Sequence, residues 1–150
     1  MSPEEIQDLL EKMNALQTSD GVSSIISASL MIDPIVSNKL AVELLQKVDR
    51  ESKPEIVLSL PGNDSYFAYN VALSAWMKFG TCENTNDGIK PSLDLKKKDK
   101  VIIVIDTFNE DIAQKFIDYI ESCEARPVAV LSLIGPDITL GKVPCLSLLH

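Results

Sequence analysis

The chain has 150 residues, 45% of them hydrophobic, with a mean hydropathy of +0.10, which is ample material for one buried core and crowded for two. Its 22 acidic residues outnumber its 14 basic ones, and the resulting net charge of −8 and pI near 4.6 exclude a nucleic-acid surface, since phosphate binding needs concentrated Lys and Arg. No apolar run approaches the ~20 residues of a membrane span, and the opening Met1-Ser2-Pro3-Glu4-Glu5 is acidic and helix-initiating where a signal peptide would be basic and apolar, so a cytoplasmic protein is expected.

Ser2 as N-cap, Pro3 at the first helical position and Glu5 closing a capping box predict a helix over 3–16, with Ile6, Leu9, Leu10, Met13 and Leu16 on one face. A polar turn over 18–21 ends it, and residues 23–32 read as extended. A second helix, starting near Asp33-Pro34 or Ser37, buries Leu40, Ala41, Leu44, Leu45 and Val48, and a charged connection over 49–53 leads to a strand over 55–60. The loop 61–64 opens a third helix over 65–79, closed by Gly80 as a C-terminal cap. Residues 81–88 are polar, turn-rich and without a basic side chain; Lys96, Lys97 and Lys98, with Lys100, read as a solvated turn before the next strand.

That strand, the unbroken apolar run over 101–105, suits burial on both faces, and Ile112, Phe116, Ile117, Ile120 and Cys123 then recur at a helical period over 109–125. Strands over 128–133 and 143–149 complete an alternation of helix and strand. The expected fold is α/β: a doubly wound, mainly parallel sheet flanked by helices, with an N-terminal helix and small hood segment over 1–33 and an α/β core over 34–150, all in one domain. A receiver-like domain shares the alternation and an acid at the position of Asp106, but it needs an early acid pair that this chain lacks.

In doubly wound sheets, ligands bind beyond the C-terminal ends of the strands, which places Asp106 at the foremost functional address. Asn109 is a favoured N-cap, and Glu110 and Asp111 in the first turn complement the helix dipole without any ligand. Those residues therefore read either as a capped helix after a core strand or as a ligand loop. The loop Gly62, Asn63, Asp64 and Ser65 likewise reads either as a connection whose Gly62 and Asn63 tolerate left-handed backbone angles or as a second ligand segment. Three cysteines, Cys82, Cys123 and Cys145, show no paired spacing; Cys123 and Cys145 fall in apolar patterns, while Cys82, in a polar stretch, could be exposed. The one histidine is the final residue, His150, so neither a histidine triad nor a multi-histidine metal site is available. No cofactor is expected.

The stretch 101–113 resembles the signature of the type I phosphoribosyltransferases, in which an apolar strand leads to two adjacent acids and a Thr- and Gly-rich loop opening a helix. The wider chain is most similar to the orotate phosphoribosyltransferases. Thr18-Ser19-Asp20-Gly21 and the run from Ser27 to Pro34 resemble the hood. Residues 56–62 resemble the strand and glycine loop that meet pyrophosphate, Ala68, Ala72 and Leu73 its small-residue helix, and 143–149 its closing strand. By this resemblance Asp106 and Thr107 would contact ribose, and Gly62, Asn63, Asp64 and Ser65 pyrophosphate, with Asn109 in the phosphate loop. The departures are Ile105 in place of the first acid, and Asn109, Glu110, Asp111 and Ala113 in place of the family's Thr-Thr-Gly and later Ser or Thr. A basic loop is also missing from 81–88.

Glu110 and Asp111 would repel an arriving phosphate, and replacing glycine by Asp111 removes close approach. The resemblance thus implies a degenerate, non-catalytic binding or regulatory module for a nucleotide-related small molecule or a partner subunit. The alternatives are a divergent active phosphoribosyltransferase, which alone would need Mg²⁺, and a structural dimerisation domain. A homodimer is expected, through the region of the third helix, where Tyr66, Phe67, Tyr69, Trp76 and Phe79 exceed what one helical face can hide, and through 81–88.

Overall fold

The computed structural model describes all residues, Met1–His150. Helix α1, Pro3–Lys12, starts where the sequence signals it: Ser2 Oγ accepts from Glu5 N at 3.2 Å, and Ile6 and Leu10 are buried. It stops four residues short of the expected end because Asn14 takes a left-handed φ of 55° and reverses the chain. Leu16 then opens β1, Leu16–Ser19, which pairs antiparallel with β2, Val22–Ile25. The two-residue turn between them is Asp20-Gly21, both with positive φ (52° and 77°), the backbone twist that tight hairpins require. The segment expected to be extended to residue 32 is extended only to Ile25 and then winds into a 3₁₀ turn, Ser27–Met31, whose Leu30 is fully buried. Helix α2, Pro34–Leu45, is capped by the Asp33 carboxylate, which accepts from Ile35 N and Val36 N.

Seven strands form the main sheet: β3 Ile56–Ser59, β4 Lys78–Thr85, β5 Gly88–Pro91, β6 Lys100–Val104, β7 Arg126–Ile134, β8 Ile138–Leu140 and β9 Val143–Leu149. Their order is β5-β4-β3-β6-β7-β9-β8, with the five central strands parallel and β5 and β8 antiparallel at the edges. Helix α3, Ser65–Ser74, links β3 to β4, and α4, Glu110–Ser122, links β6 to β7. Alternation along the strands divides the core. Val57, Ile102, Val104, Ala129 and Leu131 pack with α1, α2 and α3; Leu58, Val101, Ile103, Ile105 and Val130 pack with Phe116, Ile117 and Ile120 of α4. Burial on both faces is why β6 reads as an unbroken apolar run. The expected doubly wound, mainly parallel sheet flanked by helices is the observed architecture.

The third helix is five residues shorter than its apolar spacing predicts. Trp76, with φ 57°, ends the turn after Ser74, and Lys78 to Thr81 leave the helix to pair in register with Ile56 to Ser59. Gly80 therefore lies inside β4 and caps nothing; a Cβ there would run into the Leu93 side chain and touch Leu58. The polar stretch 81–88 is likewise strand and hairpin turn rather than free loop, paired with β5 from Cys82↔Pro91 to Thr85↔Gly88. Cys82 is fully buried, and burial, with Cys123 nearby, pushes its thiol up to about 12.

Candidate functional site

From β3, the chain order runs outward to β4 on one side while β6 lies on the other, so the gap between β3 and β6 is the switch point where doubly wound sheets open a crevice. Backbone pairing between these strands ends at Leu58↔Ile103. One residue further, Ser59 Oγ donates to Val104 O at 2.7 Å, so a buried side chain takes over the cross-link where the strands part. In the sequence Ser59 stands only as part of the 56–62 segment, a lone hydroxyl in an apolar run with no role of its own.

Asp106 stands at this point, directly beyond β6. Strand alternation sends its side chain to the same face as Ile102 and Val104, toward α3 and the hood. Its backbone is fixed, because Leu133 N donates to Asp106 O at 3.0 Å and Phe108 N to Ile134 O at 2.9 Å. Its side chain is different: the residue is 2% exposed and neither carboxylate oxygen has a hydrogen-bond partner. Burial pushes this carboxyl up to about 7; the nearby Ser27 hydroxyl lowers it somewhat and the Asp64 charge raises it. Ser27 spends its own proton on Asp64, whose Oδ1 accepts at 2.7 Å, so it leaves Asp106 without a partner. A buried carboxyl without a partner is costly in its charged form, which is the physical reason for the shift.

The hood closes over this carboxyl through two bonds. Ile25 N donates to Thr107 Oγ1 at 2.7 Å, and Ser27 Oγ donates to Asp64 Oδ1. Thr107 and Asp64, both candidates from sequence, are thus brought together with Asp106 under residues 25–27. The roles of Ile25 and Ser27 had no local signal, since each bond joins segments far apart in the chain.

The remaining candidates fall on the rim. Gly62, with φ 77° and open space at its Cβ position, turns the chain out of β3; Asn63 and Asp64 continue a 3₁₀ turn, and Ser65 Oγ donates back to Gly62 O at 2.6 Å. Asn109 is the N-cap of α4, its side chain accepting from Ile112 N at 3.1 Å, while Glu110 and Asp111 are exposed in the first turn. Asn109 thus caps one amide of the α4 N-terminus, and Glu110 and Asp111 add negative charge beside its dipole. No group of three or more His, Cys, Asp or Glu residues is placed to hold a metal ion. A cavity of about 1010 Å³ lies at the opposite end of the sheet, lined by residues such as Lys47, Arg126 and Lys142, and includes none of the crevice residues.

A sheet of this order, with a short hood over an acid at the switch point, defines an α/β class represented among solved structures. The orotate phosphoribosyltransferase of Aeropyrum pernix matches with a TM-score of 0.72 at 21% identity, over 96% of this chain and 92% of that one. The adenine phosphoribosyltransferase of Leishmania donovani matches with a TM-score of 0.71 at 14% identity, over 96% and 79%. The UMP synthase of Leishmania donovani matches at 0.68 and 15% identity, over 97% of this chain but only 35% of that longer protein. The chain has the type I phosphoribosyltransferase fold, which orotate and adenine enzymes share with it about equally. No family model and no curated protein matches the sequence. No helix is long and apolar enough to cross a membrane.

Proposed function

We propose that this is an orotate phosphoribosyltransferase-like protein whose site has been eroded. It serves in the cytoplasm as a non-catalytic binding or regulatory module, taking a small molecule in the crevice rather than transferring a phosphoribosyl group. One observation carries the reading. The segments that meet at the crevice, 25–27, 59–65 and 106–107, with the first turn of α4 at its rim, hold four acids, Asp64, Asp106, Glu110 and Asp111, and no Lys, Arg or His. Phosphoribosyl transfer develops positive charge on the ribose and requires the departing pyrophosphate to be balanced by cations. Here the would-be phosphate end carries Glu110 and Asp111, the α4 dipole end is already capped, and 81–88 is a paired hairpin without a basic side chain.

The exposed face of α3 supports assembly as a homodimer. Trp76 is 97% exposed, and Leu73 and Tyr69 lie open beside it. Of the other aromatics there, Phe67 is fully buried and Tyr66 and Phe79 pack partly on the core, so the patch is narrower than the sequence count implies. The second reading, a divergent active phosphoribosyltransferase, is favoured by the position of Asp106 and Thr107 at the end of β6. A transferase assay with phosphoribosyl pyrophosphate, Mg²⁺ and orotate or a purine base separates the two. No turnover is expected; turnover abolished by Asp106→Asn would establish the second reading.

A further inference from the structure

We propose that the crevice takes a small organic cation, a primary ammonium, which seats between Asp106 and Asp64 when residues 25–27 of the hood lift. The inference rests on the reading of the crevice as a ligand site and adds the chemistry of the ligand. Both oxygens of Asp106 lack partners although the residue is 2% exposed, so the side chain holds unused acceptors beneath the hood. Asp64 lies close enough to raise its pKa, and no cation comes from the three segments around it. At the neighbouring end of β7 and β9 the titratable side chains are Asp137 and His150, both exposed and 3.4 Å apart.

Two carboxylates that repel one another away from water gain most from a positive ligand with several N–H donors. A neutral hydroxyl compound could donate to them but would leave both charges uncompensated, and an anion would add repulsion. Leu30 is buried and its carbonyl accepts from Ser37 Oγ, which anchors the downstream end; Ile25 packs partly on the core and pairs with Leu16, so lifting must break that contact as well as its bond to Thr107, while Ser27 is held by its bond to Asp64.

The ammonium binds the ionised carboxyl, and Asp106 ionises at about 7, so affinity falls as pH drops below neutrality. The test is an NMR titration of the whole protein with 1,4-diaminobutane, following the Ile25 amide and the Asp106 carboxyl at about pH 6 and about pH 8. Parallel arms use uridine, inorganic phosphate and MgCl₂. Diaminobutane should perturb both signals and bind roughly tenfold more tightly at the higher pH. Asp106→Asn should abolish the effect, and Asp118→Asn, on the exposed face of α4, should leave it. If Asp106→Asn does not fold, the parent's pH dependence decides, and a pH-independent affinity overturns the proposal. Binding of phosphate or Mg²⁺ alone at these signals also overturns it. Uridine binding without diaminobutane binding overturns the cation while sparing the ligand site; silence in every arm removes both.

Discussion

The amide of Ile25 donates to the hydroxyl oxygen of Thr107 at 2.7 Å, joining the last residue of β2 to the loop beyond β6. This bond registers the hood on the crevice. Thr107→Val keeps the side-chain shape but removes the acceptor, leaving a partly buried N–H unpaired at a cost of about 1–3 kcal/mol. Hydrogen exchange should show faster opening at Ile25 and Ser27 with α4 unchanged. Unaltered exchange at Ile25 would mean that packing, not this bond, holds the hood.

Asp106 makes stability depend on pH. Its folded-state value of about 7 lies above the ~4 of an unfolded Asp, so the contribution is fully present below pH ~4 and is lost as pH rises through about 7. Urea unfolding of Asp106→Asn should therefore lose this slope and be more stable than the parent at about pH 8, by an amount on the order of a few kcal/mol. Parallel pH profiles for parent and variant would place the charge in solvent.

Glu110 and Asp111 lie in the first turn of α4, where the proposed reading has them stabilise the helix and repel an anion. Replacing them together, Glu110→Thr with Asp111→Gly, should improve phosphate or sulfate binding while destabilising α4. The lost dipole interactions contribute about 0.3–1 kcal/mol each, and glycine in the first turn adds to the loss. Calorimetry with phosphate and thermal unfolding read the two effects. A double variant that binds anions no better than the parent would show that this loop never served as a phosphate cradle.

The β6–α4 unit was legible because every level agreed. An apolar run demands burial on both faces, Asn109 caps, and Ile112, Phe116, Ile117 and Ile120 keep one helical stripe. The α3–β4 boundary was not legible, since Met77 and Phe79 continue the apolar pattern and only pairing with β3 pulls residues 78–81 out of the helix. Asp106 and Thr107 were readable from position, following a buried strand. Their surroundings were not, because Ser27–Asp64 and Ile25–Thr107 join residues 37 and 82 positions apart, which no local pattern encodes.

Trp76, with Leu73 and Tyr69, should sit at the dimer contact. Light scattering at micromolar concentration should give twice the chain mass of 16.5 kDa, and Trp76→Asp should weaken association by about 2 kcal/mol or more, as loss of a buried interface aromatic does. A monodisperse monomer ends the dimer reading. A dimer indifferent to Trp76, Tyr69 and Leu73 moves the interface elsewhere.

Calorimetry of the unmodified protein with phosphoribosyl pyrophosphate and Mg²⁺, followed by orotate, tests the central reading most directly. With Glu110 and Asp111 at the phosphate end and no cation at the crevice, binding should be weak or undetectable, with or without Mg²⁺. Micromolar, Mg²⁺-dependent binding would contradict it.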